Sequence, residues 1–260
     1  MYSFRYHKAG STQEAQELHA SSGEATYLAG GMTLIPTLKQ RLANVDDVID
    51  LAGIESLKGV MTSGTSIKVG GMARHNEVAA DSTIEALVYL ASGIGDPQVR
   101  NRGTLGGSIA NNDPAADYPA AVLGLNGTVH TSDRTIPADE FFTGLFETAL
   151  NDGEVVTAVE FPMPSRAAYV KFPNPASRYA VVGVMVSETN GNVRVAVTGA
   201  ETCVFRVTAM EDALSADFSS GSISGISIDS SNFNSDIHAS AEYRAHLVGV
   251  MAQRAVSQIS

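Results

Sequence analysis

Polar and apolar positions change period along the chain, and the changes mark out short mixed elements. Ser11 and Glu14 match a Ser-x-x-Glu capping box, which predicts a helix from about Thr12 to Ala20. "EATYLAGG" predicts a short strand ending in glycines, and "TLIPTLKQRLA" predicts a helix with Leu34, Leu38 and Leu42 on one face. Pro36 falls in the first turn of that helix, where a missing N–H does little harm. "DDVIDLAGI" predicts a second strand; "SIKVGGMARHNEVAAD" predicts strand, Gly-Gly turn and helix. "TIEALVYLASGIG" is helical and stops at glycine. After the glycine- and asparagine-rich stretch "RNRGTLGGSIANNDPAADYPA", "YPAAVLGLNGTVHT" predicts a helix that turns at Asn126-Gly127 into a strand.

"EVVTAVEFPMP" predicts a strand closed by Pro162 and Pro164, the best domain boundary in the chain. Beyond it, "YAVVGVMVSETNGNVRVAVTGA" gives two β-rich runs around Asn190-Gly191, a strong hairpin signal. "SADFSSGSISGISIDSSNF" predicts a variable connection. The chain ends in a predicted helix, with Tyr243, Leu247, Val250 and Met251 toward a core and Arg254 at the same spacing. Mixed α and β followed by a hairpin sheet with helices is an α+β order.

Charge and composition narrow the function. A net charge of −11 argues against a nucleic-acid footprint and against anionic membranes. No run reaches the roughly 18 apolar residues of a membrane span, and "MYSFRYHKAGSTQEAQE" holds no apolar signal core, so a cytoplasmic protein is expected. The single cysteine, Cys203, reads as a small buried hydrophobe, since one thiol cannot hold an iron–sulfur cluster. The six histidines lack metal-ligand spacing, and a lone one such as His75 reads as a surface or capping residue.

Two glycine loops remain as candidate chemistry. "AGGMT", Ala29 to Thr33, and "TLGGS", Thr104 to Ser108, both fall where a helix begins. Glycine permits positive φ and close backbone approach, and successive N–H groups form an anion nest favoured by a helix N-terminus. Thr33, Thr104 and Ser108 add hydroxyls. A pyrophosphate has two anionic groups and would suit two converging nests. There is no Walker A sequence, no G-x-G-x-x-G between strand and helix, and no G-x-S-x-G elbow. Residue chemistry alone therefore points to a phosphate-bearing cofactor bound by neither a Rossmann nor a P-loop route.

"YLAGGMTLIPTLKQRLANVDDVIDL", "VGGMARHNEV" and "DPQVRNRGTLGGSIANNDPAADYPAAVL" together resemble the FAD-binding medium subunit of molybdenum hydroxylases, the xanthine dehydrogenase and aerobic carbon monoxide dehydrogenase group. "SAEYRAHLVGVMAQRAV" resembles the closing helix of the same subunits. The resemblance implies a two-lobed FAD-binding domain of the vanillyl-alcohol oxidase type over residues 1–165. A smaller antiparallel-sheet and helix domain, of the carbon monoxide dehydrogenase flavoprotein type, would follow over 166–260. It implies an oxidoreductase subunit that carries FAD and passes electrons from [2Fe–2S] clusters on a small subunit to an external acceptor. A large subunit with molybdopterin would oxidise the substrate, and the whole would be a dimer of heterotrimers.

By the same resemblance, Ala29, Gly30, Gly31, Met32 and Thr33 form the first FAD loop, and Thr104, Leu105, Gly106, Gly107 and Ser108 the second. Asp117 matches an acidic residue that hydrogen-bonds the cofactor, Lys171 a lysine near the flavin ring, and Tyr179 an aromatic residue that covers the ring. Each has a plainer structural reading: a helix N-cap for Asp117, a solvated strand lysine for Lys171, a core or edge aromatic for Tyr179. The chain departs from the family pattern at Met32, where relatives often carry a polar residue, and at Asn111, where many carry histidine. Two rivals stand beside this reading, a flavin-free scaffold and a free-standing flavin oxidase, the second lacking any marked substrate pocket.

Overall fold

Local chemistry sets the first elements of the computed structural model, which describes residues 1–260. The Ser11 hydroxyl accepts the Glu14 N–H at 3.1 Å and starts α1 (Thr12–Ala20). The Glu14 carboxylate reaches back to the Gly10 N–H at 2.7 Å, one residue before the cap. With β1 (Arg5–Lys8), β2 (Ala25–Leu28), α2 (Leu34–Lys39) and β3 (Asp47–Asp50), α1 forms a first lobe around a parallel sheet ordered β1-β3-β2. Asp47 is buried in β3 and binds the Arg5 guanidinium through both oxygens, at 2.8 and 2.6 Å. His7 and Ser22 also contact it. These partners, Arg5 first, hold its carboxyl well below the usual range. One side chain thus pins β1 and the α1–β2 turn to the strand between them.

The second lobe is built on a sheet ordered β4-β5-β10-β6-β7, from β4 (Val60–Ser63), β5 (Ser66–Gly70), β6 (Thr128–Thr131), β7 (Thr135–Pro137) and β10 (Val156–Pro162). Helices α3 (His75–Asp81), α4 (Glu85–Ser92), α5 (Pro97–Arg100), α6 (Leu105–Asn111), α7 (Tyr118–Gly124) and α8 (Ala138–Phe141) belong to it. So does a small hairpin of β8 (Phe142–Gly144) and β9 (Glu147–Thr148). Asn112 ends α6 in the left-handed region, and its amide donates to the Gly144 and Glu147 carbonyls at 2.9 and 2.8 Å, tying down that hairpin.

The last unit is an antiparallel sheet, β11 (Arg166–Pro173), β12 (Ala180–Thr189), β13 (Asn192–Thr198) and β14 (Phe205–Arg206) in that order, with α9 (Thr208–Ala216) and α10 (Ala241–Ile259). Asn190 and Gly191 both take positive φ, 52° and 79°, as a two-residue hairpin of primed type requires. Tyr169, Met185 and Ala196 of this sheet join the 28-residue core of the second lobe. The opposite face packs with α9 and α10 in a 22-residue core.

Several expectations change. Leu42 is 74% exposed rather than on a buried helix face. Arg41 turns to φ 60° and closes α2, with Leu42 N–H on Thr37 O at 3.0 Å and Arg41 N–H on Leu38 O at 3.1 Å. That is a Schellman closure without the glycine that usually announces it. The Ser-rich segment is a connection between α9 and α10 that is anchored at two points: Ile223 and Phe233 are buried in the core of this unit. In α10, Leu247 and Met251 are buried as expected, but Tyr243 is exposed and Val250 half-buried. The inward face carries Arg244, Val248, Ala252 and Ala255 instead. A buried arginine rotates the face: Arg244 donates to the Val181 and Gly199 carbonyls at 2.6 and 2.9 Å and to Asp236 at 2.7 Å. Cys203 is half-buried, its sulfur 3.7 Å from the Asn112 amide.

Candidate dinucleotide site

A cavity of about 750 Å³ runs between the two lobes and under the loop that joins β11 to β12. Its wall holds Ala29 to Thr33, Thr104, Gly106 to Ser108, Asp117 and Tyr179. The fold thus brings together eleven of the thirteen residues singled out from the sequence; Leu105 and Lys171 lie outside the lining. Leu105 is fully buried, its side chain in the core beneath the cavity.

The loops touch each other. A Cβ built on Gly30 would overlap the Arg102 carbonyl oxygen, and one on Gly107 would lie 3.2 Å from Ala29 Cβ. A third pair joins them, since a Cβ on Gly106 would come within 2.6 Å of Gly71 O. Three glycine turns from distant parts of the chain therefore interlock.

Their donors differ sharply. The N–H groups of Ala29, Gly30, Gly31, Met32 and Thr33 donate to no acceptor in the protein. Gly31, at φ 73°, turns this run into a concave nest. The second loop does not offer a matching nest. Leu105 N–H bonds Ala73 O at 3.0 Å, Gly106 N–H bonds Gly71 O at 2.9 Å, and Ser108 N–H bonds Thr104 O at 3.1 Å. Gly107 N–H goes to the Thr104 hydroxyl oxygen at 3.2 Å. The first two are used because an antiparallel bridge between Arg74 and Thr104 docks the start of α6 on the 71–73 turn, and the last two because they close the first turn of α6 on its N-cap residue, Thr104. Gly107 is accordingly helical and needs no positive φ. What this loop presents is the hydroxyls of Thr104 and Ser108 and a surface without Cβ atoms.

Asp117 stands at the N-cap position of α7 without capping it. Its carboxylate, 4% exposed, accepts the Tyr169 hydroxyl at 2.5 Å and the Lys171 ammonium at 3.0 Å. Burial pushes this carboxyl up, and Lys171 and Tyr169 pull against the rise. Lys171 is not a solvated strand lysine: its side chain is 8% exposed. Tyr179 is 46% exposed at the cavity mouth. Met32 is likewise exposed, so its replacement of a polar residue leaves the backbone nest intact.

Sequence reasoning missed other parts of the wall. His75 is buried at 4% exposure, not a surface cap, and packs against Tyr118 with ring centroids 5.3 Å apart and the planes tilted. Burial, helped by Arg100, pulls it down to about 4, so it is neutral at pH 7. The turn Asn151–Gly153 also lines the cavity, and Tyr27 donates to the Gly153 carbonyl at 2.8 Å. "NDG" is a turn signal that would have marked this loop.

An elongated pyrophosphate-bearing ligand fits this wall. Five amides with no acceptor in the protein are free to donate to anionic oxygens, and the interlocked glycines place no side chain between them and the backbone.

Comparison with known proteins gives the site a context. A family described as the FAD binding domain in molybdopterin dehydrogenase matches residues 2–164. The nicotine 6-hydroxylase medium subunit of Paenarthrobacter nicotinovorans is 33% identical, over 97% of this chain and 95% of the relative. The carbon monoxide dehydrogenase medium chain of Hydrogenophaga pseudoflava is 31% identical, over 98% and 96%. The crystal structure of quinoline 2-oxidoreductase from Pseudomonas putida 86 superposes with a TM-score of 0.88 at 27% identity, covering 99% of this chain and 96% of that one.

Proposed function

The chain belongs to the family of FAD-binding domains of molybdopterin dehydrogenases, and we propose that it is the FAD-carrying medium subunit of a molybdenum hydroxylase complex. FAD binding is assigned to residues 1–165, and 166–260 form the unit that closes over the cavity. Bound FAD supplies an electron relay between [2Fe–2S] clusters on a small subunit and an external acceptor. The molybdopterin subunit is where substrate is oxidised, and the complex is read as a dimer of heterotrimers. A cytoplasmic location goes with this reading.

The observation that carries the proposal is the row of five unpaired amides at Ala29 to Thr33, in a loop that lines the cavity beside Gly106 and Gly107. In this reading those amides hold the pyrophosphate. Thr104 and Ser108 direct their hydroxyls to it, and Gly106 and Gly107 admit it close to the backbone. Asp117, which as an ionised carboxylate can only accept hydrogen bonds, takes a ribityl or ribose hydroxyl. Tyr179 covers one edge of the flavin. No helix is long and apolar enough to cross a membrane.

The test is co-expression with the large and small partner subunits. Acid precipitation of the purified complex should release about one FAD per medium chain. Anaerobic rapid mixing with the complex's substrate should bleach the flavin, and the medium chain alone should not respond. A complex that releases no FAD overturns the reading in favour of a scaffold. Bleaching of the chain alone by a hydroxylase substrate overturns it in favour of a free-standing oxidase.

A further inference from the structure

Lys171 lies behind the cavity wall, and its ammonium is fully used. Nζ donates to Asp117 Oδ2 at 3.0 Å, to Gly93 O at 3.0 Å and to Arg178 O at 2.9 Å, which accounts for its three protons. Each acceptor belongs to a different piece of the wall. Asp117 precedes α7. Gly93 ends α4 and leads into Ile94 and Gly95, which line the cavity. Arg178 is held at φ 65° immediately before Tyr179. Its own guanidinium crosses to Gly95 O at 3.0 Å, so the 178–179 loop is latched to the α4–α5 turn twice.

We propose that Lys171 is a positioning residue of the cofactor site. Its ammonium fixes the Asp117 carboxylate and the Tyr179 loop relative to one another, and it does not itself touch the cofactor. The three acceptors lie in different directions, which suits a compact ammonium and not a planar guanidinium fork. Without the ammonium, Asp117 is a buried carboxylate with one hydroxyl partner, and the Gly93 and Arg178 carbonyls lose a donor. The effect of Lys171 on binding then runs largely through Asp117. This inference rests on FAD occupying the cavity.

The experiment uses the assembled complex, stripped of FAD and titrated with it again. Lys171→Met should weaken FAD binding at least tenfold, and Asp117→Asn should weaken it as well. The double variant should bind at least tenfold better than the product of the two losses predicts, because the residues act as one unit. The midpoint potential of flavin bound to Lys171→Met should equal that of the unaltered complex. Multiplicative losses with a lowered potential would mean that Lys171 acts on the flavin itself, and unchanged affinity in Lys171→Met would mean that it positions nothing. Either result overturns the inference. A second measurement needs no variant: acetic anhydride labelling of stripped and FAD-loaded complex, read by peptide mass spectrometry against the exposed Lys39. Lys171 should be equally protected in both forms. Reaction in the stripped form overturns the inference even if the unaltered protein proves to bind no FAD, an outcome that would separately defeat the functional reading.

Discussion

Gly30 meets the carbonyl oxygen of Arg102 so closely that a single added methyl group would overlap it. The contact joins the first lobe to the turn before α6, and it sets the width of the cavity where the free amides lie. A substitution here moves one lobe against the other.

Gly30→Ala should therefore weaken FAD binding at least tenfold, about 1.4 kcal/mol. Gly64→Ala is the matched control, because a Cβ there meets nothing within 4 Å. Isothermal titration of stripped protein checks both, and equal affinities would place the cofactor elsewhere.

Gly107→Val should also lower FAD affinity at least tenfold, but for a reason of space alone. The residue is helical, and its Cβ would lie 2.9 Å from Thr104 Oγ1 and 3.2 Å from Ala29 Cβ. The valine methyls extend past both contacts. Far-ultraviolet circular dichroism should show an unchanged fold alongside the lost binding.

His75 should make stability fall in mild acid. Its folded value of about 4 lies below the ordinary 6.5, so between these the unfolded chain binds more protons. The stabilisation is complete above about pH 6.5 and is lost as pH falls toward 4. The loss between pH 7 and pH 4.5 is about 2 kcal/mol by linkage. Urea unfolding of the unaltered chain and of His75→Leu at both pH values checks this. The variant should lose about 2 kcal/mol less on acidification, and equal losses would show that His75 is not the responsible group.

Arg244→Met should destabilise the C-terminal unit by about 3 kcal/mol, since it strips the Val181 and Gly199 carbonyls of their buried donor. Thermal unfolding followed by tyrosine absorbance reads the change. A shift in midpoint near zero would mean that water replaces the guanidinium.

These predictions separate what was legible in the sequence from what was not. Ser11 with Glu14, Asn190 with Gly191 and the glycine pairs carry their geometry in neighbouring residues, so the elements they start or turn were readable. The end of α2 was not, because Arg41 takes a positive φ that its residue type disfavours, and only the Leu42 and Thr37 bond reveals it. The inward face of α10 depends on carbonyls at Val181 and Gly199, some 45 residues or more away along the chain. At the site, the glycines of the second loop were visible but the use of their amides was not. That depends on Ala73 and Gly71, which belong to another turn. Lys171 is the same case: "YVKF" reads as a strand lysine, and its three acceptors come from three other segments.

The unequal cores have a dynamic consequence. The apolar cluster under the first lobe, which carries all five free amides, has only eight residues, Met72 and Val155 among them lent by the second lobe, against 28 in the core of the second lobe and the C-terminal sheet. Local opening costs least where least apolar surface is buried. In cofactor-free protein, the backbone amides of β1 to β3 should exchange with deuterium ahead of those in β5 and β10. A dinucleotide bound across both lobes couples the two opening equilibria by mass action. Slow exchange in the small lobe then becomes a property of the loaded protein and not of the polypeptide. The part of the chain that holds the phosphates is the part most able to yield and admit them.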